Sequence, residues 1–173
     1  ENIIEGTKLG TWEWNIQTGE IFLNERWAEI IGYRLKDLQP VNIKTWMKLT
    51  HPDDLVKSKN VLRNHFDRKT EYYDFETRMK HKNGGWVWVL NKGKVIEWTD
   101  DERPLRMFGT YADVTLQKQA EDKLRESEKR YNLAFDGANV GLWDWDLISN
   151  TVYYSPKWKE MLGYAEHEIA NTF

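Results

Sequence analysis

The sequence predicts an α+β fold, in which a β-hairpin, short helices, a longer helix and a three-stranded antiparallel meander follow one another. Three observations predict it. Apolar and polar residues alternate over several stretches, as they do along half-buried strands. Turn-forming Gly and Asn residues separate those stretches. Helix start signals and an apolar helical stripe lie between the hairpin and the meander.

The first strands form a predicted hairpin. Trp12 and Trp14 alternate with polar residues, so both side chains share one face of a strand. Gln17-Thr18-Gly19 has turn chemistry, and residues 20–23 form the expected partner strand.

Helices are predicted between the hairpin and the meander. Asn24 suits the N-cap of a short helix that ends at Gly32. Residues 35–47 are expected to form short helical turns. His51-Pro52-Asp53-Asp54 begins a longer helix to about Phe66, since proline suits the first helical position and carboxylates there complement the helix dipole.

The remaining strands form the predicted meander. Asn83-Gly84-Gly85 is a strong hairpin turn, and Trp86, Trp88 and Leu90 are expected to share one face of the following strand. On the preceding strand, one face is predicted to carry Tyr73, Phe75, Thr77 and Met79, and the other face the charged residues. The three strands are predicted at residues 73–81, 86–98 and 105–114.

An internal repeat extends this pattern. A shift of 131 residues aligns Gly6–Asn42 with Gly137–Phe173 without a gap, and eight positions are identical, three of them Trp. The identical pairs include Trp12/Trp143, Trp14/Trp145 and Trp27/Trp158. The second copy stops at Phe173, so we expect that the sequence ends inside a tandem array.

Residues 116–136 are highly charged and predict a connector helix. A weak heptad seam places Gln117, Leu124 and Tyr131 at one position. Such a helix suits either a solvated connector or a loose two-stranded coiled coil.

The chain resembles the PAS/PAC (sensory box) family as it occurs in tandem arrays of prokaryotic sensor proteins. Five segments carry the resemblance in the family's order: Glu25-Arg26-Trp27-Ala28-Glu29-Ile30-Ile31-Gly32-Tyr33, His51-Pro52-Asp53-Asp54, Asn83-Gly84-Gly85-Trp86-Val87-Trp88-Val89, Gly109 with Asp113-Val114-Thr115, and Leu124–Tyr131.

The resemblance implies a five-stranded antiparallel sheet with short helices on one face, followed by a connector helix and a truncated second PAS module. It assigns residues 1–115 to a PAS/PAC module, 116–136 to a signalling helix and 137–173 to the first part of a second module. It also implies a sensory or signal-transmitting role that regulates a separate histidine kinase or diguanylate cyclase domain. A ligand-free structural dimerisation spacer remains the alternative.

Two sets of functional residues follow from the resemblance. PAS pockets lie between the inner face of the sheet and the helices, so the ligand-pocket candidates are Trp14, Trp46, Phe75, Thr77, Trp88 and Tyr111. The alternative is that these aromatic side chains simply fill the core. Signal relay is expected at Asp113, Val114, Thr115, Leu124 and Tyr131.

The sequence gives no sign of catalysis or of a cofactor. It has no cysteine, so a flavin–cysteine adduct and cysteine-ligated metal are excluded. His51 precedes a helix-starting proline, and His65 is more simply a packed side chain than a haem ligand. Asp53 and Asp54 are adjacent and have no nucleophile beside them, so we expect no catalytic site, no metal site and no cofactor.

Composition limits partners and location. The net charge of −3 gives no electrostatic reason to expect nucleic acid. No apolar run approaches the roughly 20 residues of a membrane span, so we expect no direct membrane contact and a cytoplasmic location, with membrane attachment of the parent protein left open. A homodimer is expected, because Trp143, Trp145 and Tyr153 lack the strands that would bury them.

Overall fold

The computed structural model describes residues 8–170. Residues 1–7 and 171–173, which include Gly6 and Phe173 of the repeat, lie outside the described residues. The chain forms two compact units, Glu1–Lys118 and Gln119–Phe173.

The first unit contains a five-stranded antiparallel sheet. Across the sheet the strands lie in the order β2-β1-β5-β4-β3, so the N-terminal hairpin joins the meander where β1 pairs with β5. This arrangement confirms the predicted α+β fold. The strands are β1 (Gly10–Asn15), β2 (Ile21–Leu23), β3 (Tyr73–Lys80), β4 (Trp86–Trp98) and β5 (Pro104–Asp113).

Helices connect the hairpin to the meander and then follow the last strand. Asn24 caps the first of them by accepting a hydrogen bond from the Trp27 N–H, and Gly32 after it takes a positive φ of 79°, as predicted. His51 caps the long helix by accepting from the Asp53 N–H. The helices are α1 (Glu25–Ile30), α2 (Ile43–Leu49), α3 (Pro52–Phe66) and the connector helix α4 (Thr115–Ala138). Within residues 8–170, none has the length and apolar composition needed to cross a membrane.

The core of the first unit lies between the helices and one face of the sheet, the inner face. Trp12 lies flat against two glycines of that face, because an added Cβ at Gly93 would come within 2.6 Å of its ring, and one at Gly109 would overlap the same ring. Trp27 and Ile31 from the α1 segment complete the same cluster. Because Gly93 of β4 and Gly109 of β5 have no side chain, they leave room for the Trp12 ring from β1.

The face that β4 presents to the core corrects one prediction. Trp86, Trp88 and Leu90 do share a face, but it is the outer face, since Val89 and Asn91 are the buried positions. Trp88 therefore lies on the opposite side of the sheet from the core. The inner face of β4 carries Val89, Asn91 and Gly93, which are smaller than the residues of its outer face. Small residues are needed there because the Trp12 ring lies on the inner face.

The second unit contains the end of α4, the hairpin β6 (Trp143–Asp146) and β7 (Thr151–Tyr154), and helix α5 (Pro156–Met161). Its local geometry repeats that of the first unit at the 131-residue spacing. Ser155 accepts from the Trp158 N–H just as Asn24 accepts from Trp27. Gly141 approaches Trp158 as Gly10 approaches Trp27, with Cβ–Cα separations of 2.7 and 2.9 Å for an added Cβ.

The hairpin of the second unit exposes aromatic side chains. Trp143 is 59% exposed, and Tyr153 is also exposed. Val152 is buried, and the rings of Tyr154 and Trp158 stack at 4.2 Å. The expectation that another chain covers these side chains stays a prediction.

Candidate functional site

A cavity of about 30 Å³ lies within the core of the first unit. Strands and helices both contribute to its wall: Trp14 comes from β1, Trp46 from α2, and Tyr73, Asn91 and Tyr111 from β3, β4 and β5. Each strand residue points inward by the period-2 alternation of its strand.

Two tyrosine hydroxyls hold this wall together. Trp46 Nε1 donates to the Tyr111 hydroxyl at 2.6 Å, and the Tyr73 hydroxyl shares a 2.9 Å hydrogen bond with Ser58 Oγ of α3. Burial raises the pKa of Tyr73 to about 12, and it raises the pKa of Tyr111 further. Both phenols are therefore neutral at ordinary pH and act as hydrogen-bonding spacers between sheet and helices.

Residues that line the cavity carry two unpartnered donors and one unpartnered acceptor. Trp12 Nε1, Trp14 Nε1 and Asn91 Oδ1 are buried without a hydrogen-bond partner among the described residues. A site of this volume holds about one water molecule, whereas drug-sized ligands occupy roughly 300–1,000 Å³. In this conformation the cavity therefore has the volume of a single small polar molecule.

The structure separates the predicted pocket residues into two groups. Trp14, Trp46 and Tyr111 line the cavity. Phe75 and Thr77 lie on the inner face of β3 without lining it, and Trp88 lies on the outer face.

Sequence reasoning predicted three of the eleven residues that line the cavity and missed the other eight, among them the polar residues Tyr73 and Asn91. Tyr73 shares a face of β3 with the predicted candidates Phe75 and Thr77. Asn91 would have been found had the inward face of β4 been assigned to Val89 and Asn91.

The junction between sheet and connector helix is a second candidate site. Asp113 Oδ1 accepts from the Thr115 N–H at 2.9 Å and thus caps the start of α4. Thr115 Oγ1 accepts from the Trp88 N–H at 3.0 Å, and the Val114 N–H donates to the Trp88 carbonyl at 2.9 Å. The first turn of α4 is therefore attached to the backbone of β4 at one residue, Trp88.

The other two predicted relay residues lie farther along α4. Leu124 and Tyr131 are 62% and 64% exposed. They are seven residues apart and therefore share one side of the helix. Leu116 and Phe135 extend the same exposed apolar stripe.

An ion pair between the buried Asp54 and the partly exposed Arg78, also missed from the sequence, fixes the start of α3 to β3. Asp54 is only 4% exposed and accepts two hydrogen bonds from the Arg78 side chain, at 2.8 and 2.9 Å, and one from the Arg78 N–H at 2.9 Å. Burial alone would raise the pKa of Asp54, but the Arg78 hydrogen bonds outweigh it and the pKa is lowered. Asp54 therefore does more than complement the helix dipole.

His65 has structural partners on both ring nitrogens. His65 is buried, with Nε2 accepting from the Val95 N–H at 3.0 Å and Nδ1 at 3.0 Å from the Thr70 carbonyl. Accepting at Nε2 places the ring proton on Nδ1, so both nitrogens are engaged. Among residues 8–170, no cluster of three His, Asp or Glu side chains could hold a metal ion.

Comparison with known proteins assigns the family. Residues 20–111 match the family model described as the PAS fold, which is more than half of the chain. The chain therefore belongs to the PAS family, and its first unit is a sensory PAS module of the prokaryotic sensor type.

Relatives and solved structures place such modules in signalling proteins. A sensory box histidine kinase/response regulator from Burkholderia thailandensis has a solved structure similar to 76% of this chain and 95% of its own, with 30% identity and a TM-score of 0.67. The probable diguanylate cyclase DgcE of Escherichia coli is 25% identical over 83% of this chain, and hybrid signal transduction histidine kinase A of Dictyostelium discoideum is 34% identical over 50%. The chain spans only 13% and 4% of those two proteins.

Proposed function

We propose that the first unit relays a signal to a separate output domain through its connector helix α4. The observation that carries the proposal is the attachment of Val114 and Thr115 to the two backbone groups of Trp88. A shift of β4 or β5 moves this attachment and so changes the position or rotation of α4. The output domain is a histidine kinase or a diguanylate cyclase in the same parent chain, by analogy with the relatives.

The proposed division of the chain is a PAS/PAC module at residues 1–115, a connector at 116–136 and the first part of a second PAS module at 137–173. The 131-residue repeat and the matching caps at Asn24 and Ser155 support the second module. We also propose a cytoplasmic homodimer without contact to nucleic acid or membrane. The exposed stripe with Leu124 and Tyr131 supports pairing of two α4 helices.

An insertion series in α4 tests the relay. Two residues inserted after Lys123 in the full-length parent protein rotate the distal helix by about 200°, so we expect output activity to change while the module keeps its thermal unfolding transition. A seven-residue insertion, which restores the heptad phase, is the matched control and retains regulation. Unchanged output with the two-residue insertion contradicts the relay.

The small cavity favours a second candidate function, a ligand-free dimerisation spacer. A volume of about 30 Å³ leaves no room for an organic ligand. On the same ground we propose that the module works without flavin or haem, and the engaged nitrogens of His65 support this for haem.

Native mass spectrometry and a thermal-shift screen separate sensor from spacer. The spacer hypothesis predicts a mass equal to that of two polypeptides with no added ligand, and no stabilising compound. A compound that raises the unfolding temperature, and that Trp14→Ala prevents from doing so, identifies a ligand sensor instead. Trp86→Ala, an exposed tryptophan of the outer face, is the control.

A further inference from the structure

The outer face of the sheet carries an ion-pair and aromatic cluster outside the cavity and the junction already described. It contains two acidic residues, two basic residues and one tryptophan from four different elements. These five residues, hereafter the outer-face cluster, are Asp54, Glu76, Arg78, Trp88 and Lys118.

Arg78 links helix α3 to the outer face of the sheet. Its guanidinium is held by Asp54 of α3 and lies 5.4 Å from the centre of the Trp88 ring. Arg78 and Trp88 are direct cross-strand partners of β3 and β4. A cation within about 6 Å of an indole ring is attracted by the negative face of the ring. The position of the Trp88 ring is therefore sensitive to the position of α3.

Lys118 links the same ring to helix α4. Its Nζ lies 5.8 Å from the centre of the Trp88 ring and 2.5 Å from Glu76 Oε2. The Lys118 N–H closes the first turn of α4 by donating to the Val114 carbonyl at 2.9 Å. The side chain of Trp88 thus contacts the same helical turn that its backbone holds through Thr115.

Helix α3 also contributes to the cavity wall, so the cluster connects the two candidate sites. Ser58 of α3 bonds the Tyr73 hydroxyl, and Leu62 lines the cavity. A change in the cavity that shifts α3 therefore acts on Asp54 and Arg78 at the N-terminal end of the same helix.

We propose that Trp88 is a positioning residue that couples helix α3 to the first turn of α4, by holding Arg78 and Lys118 on one indole ring. This inference rests on the proposed relay through α4. It identifies the contacts through which a movement of helix α3 would change the position of α4. Glu76 fixes Lys118 in place, and Asp54 fixes Arg78.

Hydrogen exchange measured by NMR on the whole chain tests the coupling. Asp54 lies on α3 and holds Arg78, and Asp54→Asn is expected to speed exchange of the Val114 and Lys118 amides of α4 about two- to fivefold, the range that an exposed cation–π contact supports. In a Trp88→Leu background the same substitution is expected to add no acceleration at these amides. Trp88→Phe keeps a ring face and restores the effect.

Two controls separate coupling from loss of overall stability. Asp53→Asn changes the neighbouring carboxylate, which lies 3.8 Å from Arg78 and is mostly exposed, and should leave the α4 amides unchanged. The Asn15 amide in the N-terminal hairpin, bonded to the Glu20 carbonyl, reports global opening. The proposal is overturned when Asp54→Asn leaves the α4 amides unchanged, when it accelerates all three amides equally, or when its effect is the same with and without Trp88.

The same data distinguish this inference from the proposed function. If the exchange data show coupling through Trp88 but the two-residue insertion in α4 leaves output unchanged, the relay is contradicted and the path through Trp88 stands. An output that responds to the insertion, without coupling in the exchange data, contradicts the path and leaves the relay intact.

Discussion

Single side chains fix the relative positions of the secondary-structure elements in this module. Asp54 ties α3 to β3, the Trp46–Tyr111 hydrogen bond ties α2 to β5, and Thr115 ties α4 to β4. Each bond joins an element of the helical side, or the connector, to the sheet. Substitutions at these points should therefore loosen one attachment while leaving the sheet itself intact.

The Asp54–Arg78 pair predicts acid sensitivity. The pKa of Asp54 in the folded state is below its ordinary value of 3.8, so the pair stabilises the fold well above that pH and the contribution is lost as the pH falls through the folded-state pKa. Asp54→Asn should lower the free energy of unfolding by about 1–3 kcal/mol at neutral pH, with the difference shrinking in acid. Urea unfolding at several pH values measures it.

Asp53→Asn is the matched control for that experiment. Asp53 is largely exposed and only 3.8 Å from Arg78, so its substitution should change stability little at any pH. A difference between wild type and Asp54→Asn that stays constant down to strong acid contradicts the assigned role of the carboxylate.

The glycine at position 109 predicts a steric effect. An added Cβ at Gly109 overlaps the Trp12 ring and the Lys92 carbonyl, so Gly109→Ala should destabilise the first unit by about 1–3 kcal/mol or more. Gly137→Ala is the control, because nothing lies within 4 Å of its added Cβ and alanine favours the helix by about 1 kcal/mol. Equal unfolding midpoints for wild type and Gly109→Ala would contradict the packing of Trp12.

At the scale of elements, local signals in the sequence were sufficient for most of the fold. The cap at Asn24, the turn at Asn83-Gly84-Gly85 and the proline start of α3 are local and were predicted. The inward face of β4 was not, because alternation gives the period of a strand but not which face meets the core. Trp12 belongs to β1, which is far from β4 in the sequence. Its ring lies on Gly93 and Gly109 and thereby determines which face of β4 points inward.

The candidate site divides in the same way. Cavity residues on strands whose inward face was assigned correctly, such as Trp14 and Tyr111, were predicted to point inward. Trp88 was assigned to the wrong face, and Asn91 was therefore missed. Asp54 and Arg78 are 24 positions apart in the sequence, and no local sequence pattern predicts that they form an ion pair.

At the scale of the whole molecule, the exposed stripe of α4 predicts self-association. The double substitution Leu124→Glu and Tyr131→Glu should make the chain monomeric at high micromolar concentration, where the wild type is a dimer, because charges on both helices repel within the seam. Light scattering measures the mass. Leu133→Glu, an exposed leucine on another side of α4, is the control. A monomeric wild type at this concentration contradicts the predicted dimer.

Thr115 tests the central claim, that output is set where β4 holds the first turn of α4. We expect Thr115→Val, which removes the hydrogen bond from the Trp88 N–H, to speed exchange of the Val114 and Lys118 amides and to change the output of the full-length parent protein. Thr115→Ser keeps the hydroxyl and should preserve both. Altered output with unchanged exchange, or faster exchange with unchanged output, would contradict the account.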